Sequence, residues 1–191
     1  MNRSVARILS WFAFISLAGC ATAVQITHTA RSTVEQRLLV RSLERALGSF
    51  NTGELQGKTV VIDFYGLTAD KDFAKEFFTA WLQAQQVRVA SDAQKAQLHL
   101  KVFAHVLGVD QGGAFVGIPA LTAPVLGFTV PELSLYKSVT HQGRADVQIY
   151  TLDEGSGQFV SKTSVGNGEA SYNEYTILIL IHFVRTDLDE K

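Results

Sequence analysis

The sequence predicts an α+β fold: two early helices packed on a mostly antiparallel sheet, with one strand–helix–strand unit. Three observations carry this. Helical periodicity is confined to the first half of the chain. Period-two alternation dominates the second half. Clusters of glycine, serine and asparagine separate the late segments at hairpin spacing.

The first helix opens at Ser32-Thr33-Val34-Glu35, a capping-box spacing, and runs to about Leu47. Val34, Leu38, Leu39, Leu43, Ala46, Leu47 and Phe50 form its apolar stripe, and Gly48 is a natural stop. Thr59 to Tyr65 is β-branched and apolar, a buried strand closed by Gly66. A second helix opens at Asp70, with Phe73, Phe77, Ala80, Trp81 and Ala84 as the expected buried face. Val87 to Ala90 follows as a short strand and completes a unit whose parallel pairing requires a right-handed crossover.

Leu98 to Val106 alternates, with Leu98, Leu100, Val102, Ala104 and Val106 pointing inward. Arg144 to Thr151 alternates likewise around Ala145, Val147 and Ile149. Asp153 to Gly157 is a turn, and Gln158 to Val165 returns as a hairpin partner. Gly166-Asn167-Gly168 reads as another turn. Tyr175 to Val184 reads as a central strand, although an apolar run of this length is also compatible with a helix. Arg185 to Lys191 reads as a charged, frayed tail.

The N-terminus carries Arg3 and Arg7, then an apolar run from Ile8 to Ala18, then Gly19 and Cys20, the single cysteine. Eleven apolar residues are too few to span a bilayer, which takes about 20. A basic start, a short apolar stretch and small residues before a cleavage point are the marks of a secretory signal. A cysteine at its end resembles the lipobox of bacterial lipoproteins. The expected organisation is a signal peptide over 1–19, cleavage between Gly19 and Cys20, lipidation of Cys20, a tether over 20–31, a single α+β domain over 32–186 and a tail over 187–191. Removing 1–19 leaves 15 of 17 basic residues against 18 acidic ones, a formal charge of −3. That balance disfavours nucleic acid as a partner. With its cysteine acylated, the mature chain would hold its fold without a disulfide.

Gln111 to Pro131 contains no charged residue in 21 positions and holds all three prolines, Pro119, Pro124 and Pro131. Gly112, Gly113, Gly117 and Gly127 interrupt it further. Proline and glycine at this density predict a long irregular connection and oppose a central strand. Its apolar residues Phe115, Val116, Ile118, Leu121, Val125, Leu126 and Phe128 either fold back to plug the sheet or form an exposed contact for an envelope partner. Insertion as a membrane hairpin is a further reading that the prolines oppose.

No metal, cofactor or catalytic motif is expected. His99 and His105 share a strand face but stand about 20 Å apart. Gly155-Ser156-Gly157 lies in a turn and is no nucleophile elbow. Asp70 and Asp72 suit a helix N-terminus. Asp63 in a buried strand needs a partner, for which an arginine of the first helix is the candidate. His182 reads as a core or edge histidine.

The residues Thr29-Ala30-Arg31-Ser32-Thr33-Val34-Glu35-Gln36, Gly117-Ile118-Pro119 and Pro131-Glu132-Leu133-Ser134-Leu135-Tyr136-Lys137 resemble an uncharacterised family of bacterial lipoproteins. The resemblance implies a lipid anchor and a single domain, and carries no catalytic residue. The expectation is a non-catalytic binding or assembly module of the cell envelope. Alternatives are an oligomeric ring or pore component of secretion and a hydrolase of an envelope substrate. Ala21 after the cysteine, in place of the aspartate that retains similar lipoproteins in the inner membrane, points to the outer membrane, facing the periplasm.

Overall fold

The computed structural model describes residues 31–123 and 128–189, with backbone alone over 121–123 and 128–130. Gly19, Cys20, the tether to Ala30, Val125 and Leu126 therefore lie outside the described residues. Two helices pack on a mixed, mostly antiparallel sheet, as the α+β reading expects.

Helix α1 spans Thr33–Gly48 and buries Leu38, Leu39, Leu43, Ala46 and Leu47, the predicted stripe. Strand β1 (Thr59–Gly66) is followed by α2 (Lys71–Ala84) and β2 (Arg88–Val89), and β2 pairs parallel to β1. The buried face of α2 is not the predicted one. Ala74, Phe78 and Leu82 are enclosed, whereas Phe73 is 51% exposed and Ala80 and Ala84 face outward. Positions 74, 78 and 82 form an equally regular i, i+4, i+8 stripe, and a one-residue rotation separates the two faces. Phe77 and Trp81 flank the true stripe, and Trp81 stacks on Phe78 with ring centroids 5.8 Å apart.

Strand β3 (Leu98–Ile118) and strand β6 (Leu133–Asp153) are each 21 residues long and pair antiparallel along their whole length. Between them a small ribbon is formed by β4 (Leu121–Ala123) and β5 (Phe128–Val130). The predicted irregular connection is thus mostly strand. Pro119 and Pro131 stand just outside strand segments, where no ladder bond is needed, and Gly112, Gly113 and Gly117 lie in the part of β3 beyond its pairing with β1. A bulge between Ala104 and Val106 changes the phase of β3, so Leu107 packs on the core and Val106 turns outward, contrary to the simple alternation.

Strand β7 (Phe159–Lys162) forms the predicted hairpin with β6. Strand β8 spans Gly166–Ile177, and β9 spans Ile181–Thr186. The sheet order is β2-β1-β3-β6-β8-β9, with β7 paired to part of β6. Gly166-Asn167-Gly168 is therefore strand and not turn. Its glycines serve close helix packing: a Cβ on Gly166 would stand 2.6 Å from the Ala46 carbonyl oxygen, and one on Gly168 would overlap the Ser42 carbonyl. Gly143 of β6 meets the Leu38 carbonyl in the same way, at 2.7 Å. These three positions let α1 lie directly on β6 and β8.

The Tyr175–Val184 run is a hairpin, not a central strand. Leu178 and Ile179 take φ of 48° and 67°, and the chain reverses through Leu178–Leu180. The frayed tail is also corrected over its described part. Arg185 and Thr186 lie in β9, the Ser171 amide donates to Asp187 Oδ1 at 2.8 Å, and Arg45 Nη1 donates to Asp187 Oδ2 at 2.8 Å.

Candidate functional site: the bare end of the sheet

Helix α1 packs closely on the sheet at Gly166, Gly168 and the Gly143 row. Beyond it β3, β6, β8 and β9 continue as a four-stranded ribbon, antiparallel at every step. From Gly143 to Leu133, at about 3.4 Å per residue, this projection is roughly 30 Å long. Register places Gly113, Val139, Glu174 and Val184 in one row, and Val116, Tyr136, Ile177 and Ile181 in another.

The two faces differ. On the helix side lie Phe115, Leu135, Lys137, Thr176 and His182, with Val139, Glu174 and Val184 one row closer to the helices, so this face mixes charged and apolar side chains. On the opposite face lie Ala114, Val116, Tyr136, Tyr175, Ile177, Ile181 and Phe183. Tyr175 and Phe183 stack at 5.0 Å. At the end of the second hairpin Leu178, Ile179 and Leu180 are exposed, Leu180 to 88%. One end of the molecule thus gathers apolar side chains from two hairpins distant in sequence.

Among the predicted contact residues, Phe115, Val116 and Ile118 are 40%, 56% and 50% exposed, so they do not plug the core. Leu121 lies in β4 and Phe128 in β5. Leu133, Leu135, Tyr136 and the whole Leu178–Val184 segment escaped the sequence reading. A residue-by-residue signal existed, since Tyr175 to Val184 contains no Asp, Glu, Lys or Arg. The reversal inside it uses no glycine, proline or asparagine, so no turn was legible.

The second candidate region is the open face of the sheet opposite the helices. Tyr65 and Phe103 stack at 5.1 Å, and Phe103 meets Tyr150 edge-on at 5.5 Å. Asp63 is on this face, not against the first helix. Its carboxylate meets His99 Nε2 at 2.9 Å, while Glu154 meets His99 Nδ1 at 3.1 Å. Both ring nitrogens of His99 thus face a carboxylate, which ties β1, β3 and the turn after β6 together on this face. The charge of Asp63, reinforced by burial and a hydrogen bond, pushes the Tyr65 hydroxyl pKa up. His182 lies in β9 with Thr176 Oγ1 3.4 Å away, an edge position. No group of three metal-ligating side chains occurs among the described residues.

No family model and no curated protein matches the chain. Among solved structures the chain is similar to a Helicobacter pylori protein described as a homolog of neuraminyllactose-binding hemagglutinin. The likeness has 14% identity and a TM-score of 0.34, and covers 72% of this chain and 78% of that one. A similarity of that size carries no conclusion about ligand or activity.

Proposed function

We propose that this chain is a lipid-anchored cell-envelope protein that works as a non-catalytic binding or assembly module, with the bare apolar end of the ribbon as its contact. The carrying observation is the convergence of Val116, Tyr136, Ile177, Ile181 and Phe183 on one face, capped by Leu178–Leu180. Contiguous apolar surface of this kind marks interaction sites in folded proteins. The N-terminal signal, Cys20 and the resemblance to bacterial lipoproteins support anchoring, with Ala21 favouring the outer membrane and a periplasmic orientation.

Two measurements test this. Incorporation of a palmitate analogue is expected in the wild type and lost in Cys20→Ser, with the protein moving from the membrane to the soluble envelope fraction. A photocrosslinker at Val116 or Ile181 is expected to capture an envelope protein in intact cells. The Tyr136→Ser/Phe183→Ser variant should lose that capture while its unfolding midpoint stays near the wild type. An unlabelled Cys20, or a silent crosslinker at both positions, overturns the reading.

A pore wall is the second reading, favoured by the apolar face of the ribbon. Against it, β9 supplies six residues, while a membrane strand needs about 9–11.

A further inference from the structure

Resting on the assembly reading, we infer that the partner of the ribbon is a second copy of this chain, joined by pairing the β9 edge of one copy to the β3 edge of the next. β1 stops pairing with β3 at Ala104, so the β3 edge from Val106 to Ile118 is without a neighbour among the described residues. Among the described residues β9 pairs only with β8 and forms the other edge. Such edges template further pairing, and folded proteins usually blunt them with lysine, proline or short length. Val106–Ile118 contains no lysine, arginine or proline over 13 residues.

Direction and charge select the partner. Three antiparallel steps separate β3 from β9, so the two edges run in opposite senses. Copies in the same orientation therefore pair β9 to β3 antiparallel, with every apolar end on one side. The Gly112 row passes through Thr140 and Asn173 to Arg185. Asp110, one row away and on the same face, is the single charged residue of the β3 edge, and Arg185 is the single Asp, Glu, Lys or Arg of β9. Level pairing places them as diagonal neighbours, within reach of a long side chain. A two-residue register shift places them opposite each other without changing either face. The contact is head-to-tail, so its repetition builds a ring where the rotation closes.

The test is a charge exchange in the full chain, purified in detergent and followed by sedimentation across concentration. The wild type is expected to form multi-copy species. Asp110→Arg and Arg185→Glu each should weaken association about fivefold or more, and the double variant should recover it. Both positions are exposed, so circular dichroism should stay unchanged in all three. A wild type that is monomeric throughout, single reversals without effect, or a double variant without recovery overturns the inference. A monomer whose Val116 crosslinker still captures another envelope protein removes the copy-to-copy contact and leaves the assembly reading standing. A monomer with a silent crosslinker removes both.

Discussion

The base of this molecule and its projecting end use the same sheet in opposite ways. At the base, α1 lies on β6 and β8 so closely that Gly143, Gly166 and Gly168 have no room for a Cβ against its carbonyl groups. Leu38, Leu47, Phe78, Leu100 and Val147 are fully enclosed there. At the end the strands continue beyond the close packing of the described helices, and apolar side chains face outward on the ribbon. Stability resides in the first region and availability for contact in the second. The physical difference is cover: the same β-branched and aromatic residue types are core where a helix lies over them and surface where it does not.

This contrast breaks most visibly under truncation. Phe78→Ala is expected to cost about 3–5 kcal/mol, whereas Val116→Ser and Ile181→Ser should each stay within about 0.5 kcal/mol, as exposed substitutions do. Chemical unfolding of the three variants checks it, and a comparable loss at Val116 would mean that the end is part of the core. Adding a methyl group sharpens the same point. Gly168→Ala should destabilise by about 1–3 kcal/mol through overpacking on the Ser42 carbonyl, lowering the midpoint by roughly 2–4 °C per kcal/mol. Gly112→Ala on the ribbon meets nothing within 4 Å and should be near neutral.

The seam between helix α1 and the last strand gives a pH signature. Burial raises the Asp187 pKa, but the Ser171 amide and the Arg45 guanidinium outweigh it and hold the carboxyl below its ordinary range. A depressed carboxylate contributes stability above its unfolded pKa of about 3.9 and loses it as pH falls through the folded value. Asp187→Asn should therefore cost about 1–2 kcal/mol at neutral pH, and the gap from wild type should close below about pH 4. A penalty that persists in acid would assign the effect to packing. The smallest effect belongs to the hairpin tip. Ile179 holds φ of 67° while 51% exposed, so Ile179→Gly should relieve strain and raise stability by up to about 1 kcal/mol.

Much of the base was legible. The stripe of α1, strand β1 and the inward residues Leu98, Leu100, Val102, Ala145, Val147 and Ile149 follow directly from periodicity. The face of α2 was not, because Phe73-Phe77-Trp81 and Ala74-Phe78-Leu82 are both regular stripes, and only the sheet beneath chooses between them. Glycine was misread twice, at 111–131 and at 166–168. It signals turns on average, but at Gly168 its absent side chain makes room for a helix, and at Gly112 and Gly113 it sits in extended strand. The charge-free composition around Phe115, Val116 and Ile118 singles them out in the sequence, and they are exposed in the structure. The second half of that surface, Leu178 to Val184, was hidden by a reversal with no turn residue.

By itself the sequence determined the two helices, the alternating strands and the α+β class, because periodicity records which face of each element avoids water. It also determined the absence of charge from 111 to 131. Tertiary structure decided where those elements stop being covered. Register brought Val116, Tyr136, Ile177 and Ile181 into one row, and α1 packed closely on the sheet at Gly143, Gly166 and Gly168. An apolar residue becomes core or contact surface according to what lies over it, and that depends on partners distant in the chain.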